Sequence, residues 1–227
     1  MELSPDAIIY AQWGPVKVNA TLIFTWVTMV LLVGGSWLVT RRLSVTPHES
    51  TQQTAIEAVV AFIQQQIEET MQRSARPFLP FIGTLFLFIA VSNLLSAVPG
   101  YRAPTGSLST TAALAMCVFI AVPLYGVTYQ GLAGYARHYI EPSVIMLPFN
   151  IIGELSRTLA MAVRLFGNVM SGEMVVAVLL LIVPLFVPVV MQLLGLLIGV
   201  IQAYIFAVLA TVYIASAIEG EAELRQD

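Results

Sequence analysis

Long apolar runs without charge constrain this chain more than any other feature of its sequence. The run NATLIFTWVTMVLLVGGSWLVT covers residues 19–40, and residues 143–219 are apolar almost throughout. A helix that crosses a bilayer needs about 20 such residues. Of the 227 residues, 58% are hydrophobic and 10% are charged. The runs are continuous rather than alternating, which argues against a β-barrel and predicts an all-α polytopic membrane protein.

The runs predict about five membrane helices within one membrane domain, residues 1–227. Their expected bounds are 19–40, 77–98, 108–131, 143–182 and 185–219. The segment VPLFVP at 183–188 interrupts the last tract, so that the last two helices form a long hairpin. The positive-inside rule places the N-terminus outside and the C-terminus in the cytoplasm. The cytoplasmic charges are then Arg41, Arg42, Arg73, Arg76, Arg137 and Arg225, against Lys17 and Arg102 outside.

Residues 51–73 form a helix of a different kind. An apolar stripe at helical spacing is surrounded by Glu and Gln, which makes the segment amphipathic and too polar to span. The stripe consists of Ile56, Val59, Val60, Ile63 and Ile67. Two interpretations are open: a helix on the cytoplasmic surface of the bilayer, or a loop helix that packs on the protein itself.

Four charged side chains lie in the first arm of the hairpin: Glu154, Arg157, Arg164 and Glu173. Glu154 and Arg157 are three residues apart near the cytoplasmic end. They are either a local pair whose heads reach the interface or a functional pair, and the sequence leaves both open.

Arg164 is about 15 Å deeper than Glu154, where a cation costs from about 2.5 to above 10 kcal/mol. No acid stands at 160, 161, 167 or 168 to pair with it on its own helix. Glu173 is the alternative structural partner, but nine residues rotate about 900°, which turns it to the opposite face. The counter-charge of Arg164 is therefore expected from elsewhere, such as another chain.

Small or polar residues recur every four positions on both arms. One ridge is Ser156, Ala160, Arg164, Asn168 and Gly172, and the other is Gly195, Gly199, Ala203 and Ala207. Such ridges let helices approach closely, either within the hairpin or against a neighbouring helical assembly. Arg164 and Gln202 are equidistant from Val183, so a hairpin turning there would bring them to one depth, where the Gln202 amide could orient the guanidinium.

The motif RLFGNVMSGE at 164–173, together with IQAYIFAVLATVYI at 201–214, resembles subunit a of F-type ATP synthases, the membrane stator beside the rotating c-ring. LPFNIIGELSRTLAMAV before it and SNLLSAVPG at 92–100 are similar too. The resemblance covers most of residues 50–220 and is closest to the bacterial and chloroplast branch. It implies that the last hairpin faces the c-ring.

The resemblance implies roles for single residues. Arg164 matches the essential arginine opposite the c-ring carboxylates, and Asn168, Glu173 and Gln202 match polar residues that serve ion access or support that arginine. Where many members have Asp and Asn, this chain has Ser107 and Ser109, and no titratable residue stands near Gly195. The candidate ion path is Asn168, Glu173, Gln202, Ser107, Ser109, Asn93 and Glu154.

The implied function is ion translocation through two half-channels, separated by a fixed arginine that exchanges ions with the ring carboxylates. ATP chemistry then belongs to other subunits, and no cofactor or metal is expected. The implied partners are the c-ring, the peripheral stalk subunit b, the remaining ATP synthase subunits and the lipid bilayer. The implied location is a bacterial inner (plasma) membrane.

Other functions fit the sequence less well. A secondary ion transporter is the main alternative, but it would show repeated halves with broken helices, which the sequence lacks. No HExxH, GxSxG or paired aspartates suggest an intramembrane enzyme. The net charge of −3 argues against nucleic acid, and the single Cys117 excludes an internal disulfide.

The topology is testable by cysteine labelling in a Cys117→Ser background. We expect a cysteine at position 102 to react with a membrane-impermeant thiol reagent added outside, and one within 51–73 to react only from the cytoplasm. Labelling at 102 from the cytoplasm alone would invert the orientation.

Overall fold

The computed structural model describes residues 9–13, 16–41, 51–98, 100–140, 146–182 and 187–224. Their helices are α1 Ala20–Thr40, α2 Thr51–Met71, α3 Leu79–Leu95, α4 Leu108–Ile140, α5 Met146–Ile182 and α6 Val187–Leu224. Four of these, α1, α4, α5 and α6, are long and apolar enough to cross a membrane. The all-α polytopic class is thereby confirmed. The centre of the hairpin turn, 183–186, and the arginines Arg42 and Arg225 lie outside the described residues.

The third helix is shorter than the sequence predicts. Residues 77–98 were expected to span, but α3 has 17 residues, which is about 25 Å and less than a hydrocarbon core of about 30 Å. Pro80 lies in its first turn, where the missing N–H has no intrahelical partner to lose. At the other end, Ser96 caps the helix and Gly100 turns the chain at φ +92°, a conformation that favours glycine.

Two short strands precede the first helix. β1 Ile9–Trp13 pairs antiparallel with β2 Val16–Asn19, with Gln12 opposite Lys17. The sequence between them is Gly-Pro, and both strands contain β-branched or aromatic residues. A search for membrane-length runs does not detect such short elements, which is why this hairpin was not predicted.

The fourth helix bends where its predicted span ends. Gly131 has φ 76° and ψ 162°, which are not helical values, so that α4 consists of a membrane-length part before Gly131 and a shorter part after it. This conformation is open to glycine and strained for other residues.

The last helix forms the centre of the subunit. α6 packs against α2, α3, α4 and α5, and its buried hydrophobic residues are mostly alanine. Ala203 and Ala207 of the predicted ridge are buried, whereas Gly195 is exposed. The buried part of the ridge on α6 therefore packs inside the subunit, with Gly199 against Asn93 of α3.

The amphipathic helix α2 packs on the protein with its C-terminal half. Ile63 and Ile67 belong to the core, and the Tyr204 hydroxyl of α6 donates to Gln66 Oε1 at 2.6 Å. Val59 and Val60 of the same stripe remain exposed. The contacts therefore support packing on the protein for this half, while a bilayer contact of the exposed half stays a prediction.

The contact between α3 and α6 depends on one glycine. A Cβ added at Gly199 would lie 2.7 Å from Cβ of Asn93, closer than two carbons can approach, whereas nothing lies within 4 Å of a Cβ at Gly195. We expect Gly199→Ala to force the helices apart at a cost of about 1–3 kcal/mol, and to lower the apparent melting temperature. Thermal aggregation of the purified complex measures this, with Gly195→Ala as the matched control. Equal melting of the two variants would contradict the close contact.

Candidate functional site

A cavity of about 650 Å³ lies between the end of α3, the second half of α5 and the first half of α6. The loop after α3 forms a further part of its wall. Its long polar and charged side chains are Asn93, Arg102, Asn168, Glu173, Gln192 and Gln202. Because α3 ends and α6 begins beside it, the cavity lies in the half of the subunit nearest the hairpin turn. In the described part of the chain, no group of three or more His, Cys, Asp or Glu could hold a metal ion.

Asn93 connects three elements at the floor of this cavity. Its Nδ2 donates to the carbonyl oxygen of Gly199 on α6 at 3.0 Å, and its Oδ1 accepts from Thr105 Oγ1 at 2.7 Å. The side chain is buried and its amide is satisfied at both ends, so that the bonds stabilise the packing of α3, α6 and the 3-10 turn Pro104–Gly106. Nearer the hairpin turn, Gln192 Nε2 donates to the Ser96 carbonyl oxygen at 3.2 Å.

Asn168 and Gln202 join the two arms of the hairpin. Asn168 Nδ2 donates to Gln202 Oε1 at 2.6 Å. Residues 168 and 202 are equidistant from position 185, inside the interval between α5 and α6. The prediction that Gln202 and Arg164 lie at the same depth assumed a turn centred on Val183. The amide of Gln202 instead bonds to the residue one helical turn nearer the hairpin turn than Arg164.

Glu173 is half-buried in the cavity wall. Its Oε1 lies 3.5 Å from the position that a Cβ on Gly106 would occupy, so the carboxyl rests against the 3-10 turn. Arg102, also half-buried in the wall, is close enough to attract the Glu173 carboxylate electrostatically. Opposite charges thus face the same cavity.

Arg164 lies on a different surface. It is exposed, as are Ser156, Ala160 and Asn168 of the same ridge, and it does not line the cavity. No hydrogen bond or ion pair within the described residues involves its guanidinium. The ridge on α5 is therefore an open face of the subunit, and Asn168 both belongs to that face and lines the cavity.

The remaining candidates lie away from the cavity. The hydroxyls of Ser107 and Ser109 bond to each other at 2.7 Å at the start of α4. Glu154 is half-buried on α5, where its carbonyl oxygen accepts from Thr158 Oγ1 at 3.0 Å. The Arg157 guanidinium lies 5.9 Å from the ring centre of Tyr213 on α6, within range of a cation–π attraction.

Two of the long polar and charged cavity residues, Arg102 and Gln192, were not singled out from the sequence. Arg102 was counted only as an outer charge, because a basic residue in a polar loop carries no signal of its own. Gln192 did carry a signal, since it is the one polar side chain between 187 and 201. A polar residue inside a membrane span is a candidate functional residue in general.

The sequence is similar to known proteins over nearly its whole length. Residues 22–215 match the family described as ATP synthase A chain. ATP synthase subunit a 2 of Acaryochloris marina is 62% identical over 217 residues, 96% of this chain and 93% of the relative. ATP synthase subunit a of Albidiferax ferrireducens is 58% identical over 220 residues, 97% of this chain and 95% of the relative. ATP synthase subunit a 1 of Chlorobaculum parvum is 57% identical over 217 residues, 96% of each chain.

Proposed function

The chain belongs to the ATP synthase A chain family, and from that premise we propose that it carries a cation between the cavity and carboxylates on a rotating c-ring, with Arg164 as the fixed charge opposite them. It is an integral membrane protein and a subunit of ATP synthase, so its function is exercised in a complex with the other subunits. The proposal does not require ATP chemistry on this chain.

The exposure of Arg164 is the observation that carries the proposal. A guanidinium on an exposed face of a membrane helix, with no counter-charge in the described residues, favours a partner from another chain. A carboxylate on a ring helix supplies one. At about 4 Å and an effective dielectric near 20, the two charges attract by about 4 kcal/mol.

That attraction has a suitable size for a reversible step. A potential of 100 mV supplies about 2.3 kcal/mol per elementary charge, which is comparable with the attraction. The arginine can therefore displace the ion from a ring carboxylate, and the driving force can separate the pair again. Arginine suits this role because it keeps its proton under all physiological conditions.

The cavity is the proposed access path from the outer side. It brings Glu173, Asn168 and Gln202 together, and Asn168 extends from it to the open face that carries Arg164. An ion in the cavity would meet the Glu173 carboxyl before the amide pair of Asn168 and Gln202, which lies deeper. Glu154, nearer the opposite end of α5, stays a candidate for the cytoplasmic path.

The remaining parts of the proposal follow from the family and the charges. The exposed ridge on α5 would contact the c-ring, and subunit b would bind elsewhere on the subunit. The arginine distribution supports an outer N-terminus and a cytoplasmic C-terminus in a bacterial plasma membrane.

The role of Arg164 is testable against Arg157 on the same helix. We expect Arg164→Ala to abolish ATP-driven ion pumping in membrane vesicles, while the subunit still inserts, because removal of a cation lowers the cost of insertion. Arg164→Lys should fail as well, since an ammonium is more strongly hydrated and lacks the planar fork.

Arg157→Ala is the matched control, because this residue is also an exposed arginine of α5 but has the Tyr213 ring beside it. It should retain substantial pumping. Expression is checked by blot in all variants. Normal pumping by Arg164→Ala, or loss of pumping in Arg157→Ala alone, would refute the assignment.

Glu173 tests the access path separately. Glu173→Gln keeps the shape of the side chain and removes its charge, so we expect slower ion flux in an assembled complex. The flux is measured as ATP-driven pumping, normalised to the amount of complex. Native flux in this variant would place the outer path elsewhere, with Ser107, Ser109 and Asn93 the next residues to substitute.

A further inference from the structure

Arg102 is an unexpected residue in the wall of a path for cations. Of the described residues that line the cavity, only Arg102 and Glu173 carry charge. A cation that enters meets the positive charge of Arg102 whether or not the Glu173 carboxyl is ionised. The repulsion is proportional to the charge of the ion, so it acts twice as strongly on a divalent cation as on a monovalent one.

The carboxylate explains why such a repulsion is useful. Carboxylates with neighbouring amide oxygens are the ligands that divalent ions such as Ca²⁺ prefer, and the cavity offers the Glu173 carboxylate together with the amide oxygen of Asn168. A divalent ion held there would occupy the residue that the transported ion must use. A cation fixed beside the carboxylate opposes that occupation.

Arg102 sits in a segment that is held from the first helix. The buried Thr28 of α1 donates its hydroxyl to the Phe24 carbonyl oxygen at 2.9 Å, so the Tyr101 hydroxyl is the donor in the 2.6 Å bond between Tyr101 and Thr28. The Phe24 and Tyr101 rings meet edge to face at 4.9 Å. Burial raises the pKa of the Tyr101 hydroxyl. Tyr101 itself lines the cavity next to Arg102.

We propose that Arg102 determines the specificity of the cavity: its guanidinium, positioned by the Thr28–Tyr101 bond, excludes divalent cations from the Glu173 carboxylate and leaves it available to the monovalent ion that is transported. This inference rests on the proposed function of the cavity. It assigns Arg102 a role in selection and Thr28 a role in positioning, and neither residue transfers the ion.

Calcium sensitivity of the whole complex tests the inference. The complex is reconstituted into liposomes with its ATP-synthesising head towards the bath, so that the outer face lines the lumen, and the lumen is loaded with graded CaCl2. The rate of ATP synthesis under an imposed ion gradient is measured and normalised to the calcium-free rate of each variant. For Arg102→Gln, we expect half-inhibition at a calcium concentration roughly tenfold lower than for the native complex.

Two variants separate charge from side-chain loss. Arg102→Lys keeps the charge and should respond to calcium nearly as the native complex does. The double variant Arg102→Gln, Glu173→Gln removes the carboxylate that would bind calcium, and should lose the added sensitivity. If Arg102→Gln has the calcium sensitivity of the native complex, or if the double variant is as sensitive as Arg102→Gln, the inference is wrong.

The positioning role of Thr28 is tested by a pair of matched variants on α1. Thr28→Val removes the hydroxyl that accepts from Tyr101, whereas Thr25→Val removes one that bonds only to the Thr21 carbonyl oxygen of the same helix at 2.7 Å. Thr28→Val should shift half-inhibition towards that of Arg102→Gln, and Thr25→Val should not. Identical calcium curves for the two would refute the role of Thr28.

Failure of the proposed function gives a different result. If Glu173→Gln carries the native flux without calcium, the cavity is not the access path. If Glu173→Gln is slow but Arg102→Gln has native calcium sensitivity, the path stands and the selection by Arg102 does not.

Discussion

The bonds of Asn93 hold together the part of the subunit on which the cavity depends. This buried amide donates to the Gly199 carbonyl of α6 and accepts from Thr105, so that one side chain fixes α3, α6 and the 3-10 turn. The bond to Gly199 is short enough only because that residue has no Cβ. The same turn presents Gly106 to the Glu173 carboxyl. The position of this wall is therefore linked to helix packing through the 3-10 turn, which bonds to Asn93 and lies against Glu173.

The cost of holding a charge inside the membrane is met in two different ways in this subunit. Inside the cavity, Arg102 and Glu173 lie within electrostatic reach of each other, which lowers the cost of each charge. On the open face, Arg164 has no such partner among the described residues, and the proposed function supplies one from outside the subunit. A charge that is compensated within the chain can remain in the cavity wall at all times. A charge left uncompensated favours whichever neighbour brings the opposite sign.

The starts of the four long apolar helices lie within a few residues of their predicted positions, because apolar runs mark them, whereas α3 is shorter than its predicted span. The sequence also separated the faces of Arg164 and Glu173, because the rotation between two positions of one helix is a property of the helix. The sequence did not determine which residues of the two arms lie at the same depth, because VPLFVP allows more than one centre for the turn. Gln202 bonds to Asn168 rather than to Arg164. The β-hairpin was missed because its strands are far shorter than any span. Arg102 was missed because its role depends on the distant Thr28 and Glu173, which no local pattern brings together.

The neutral pair Asn168–Gln202 lies between the two charged surfaces. Arg164 and Glu173 are nine residues apart, about 13.5 Å along the helix axis, and point to opposite sides of α5. Neither can neutralise the other at that separation, so both remain free to act on an ion. The intervening position is occupied by an amide pair, which offers hydrogen bonds and no net charge. An acid in place of Asn168 would stand one turn from Arg164 and satisfy it within the chain. Neutral residues at this layer therefore leave Arg164 available for the partner from outside the subunit that the proposed function requires.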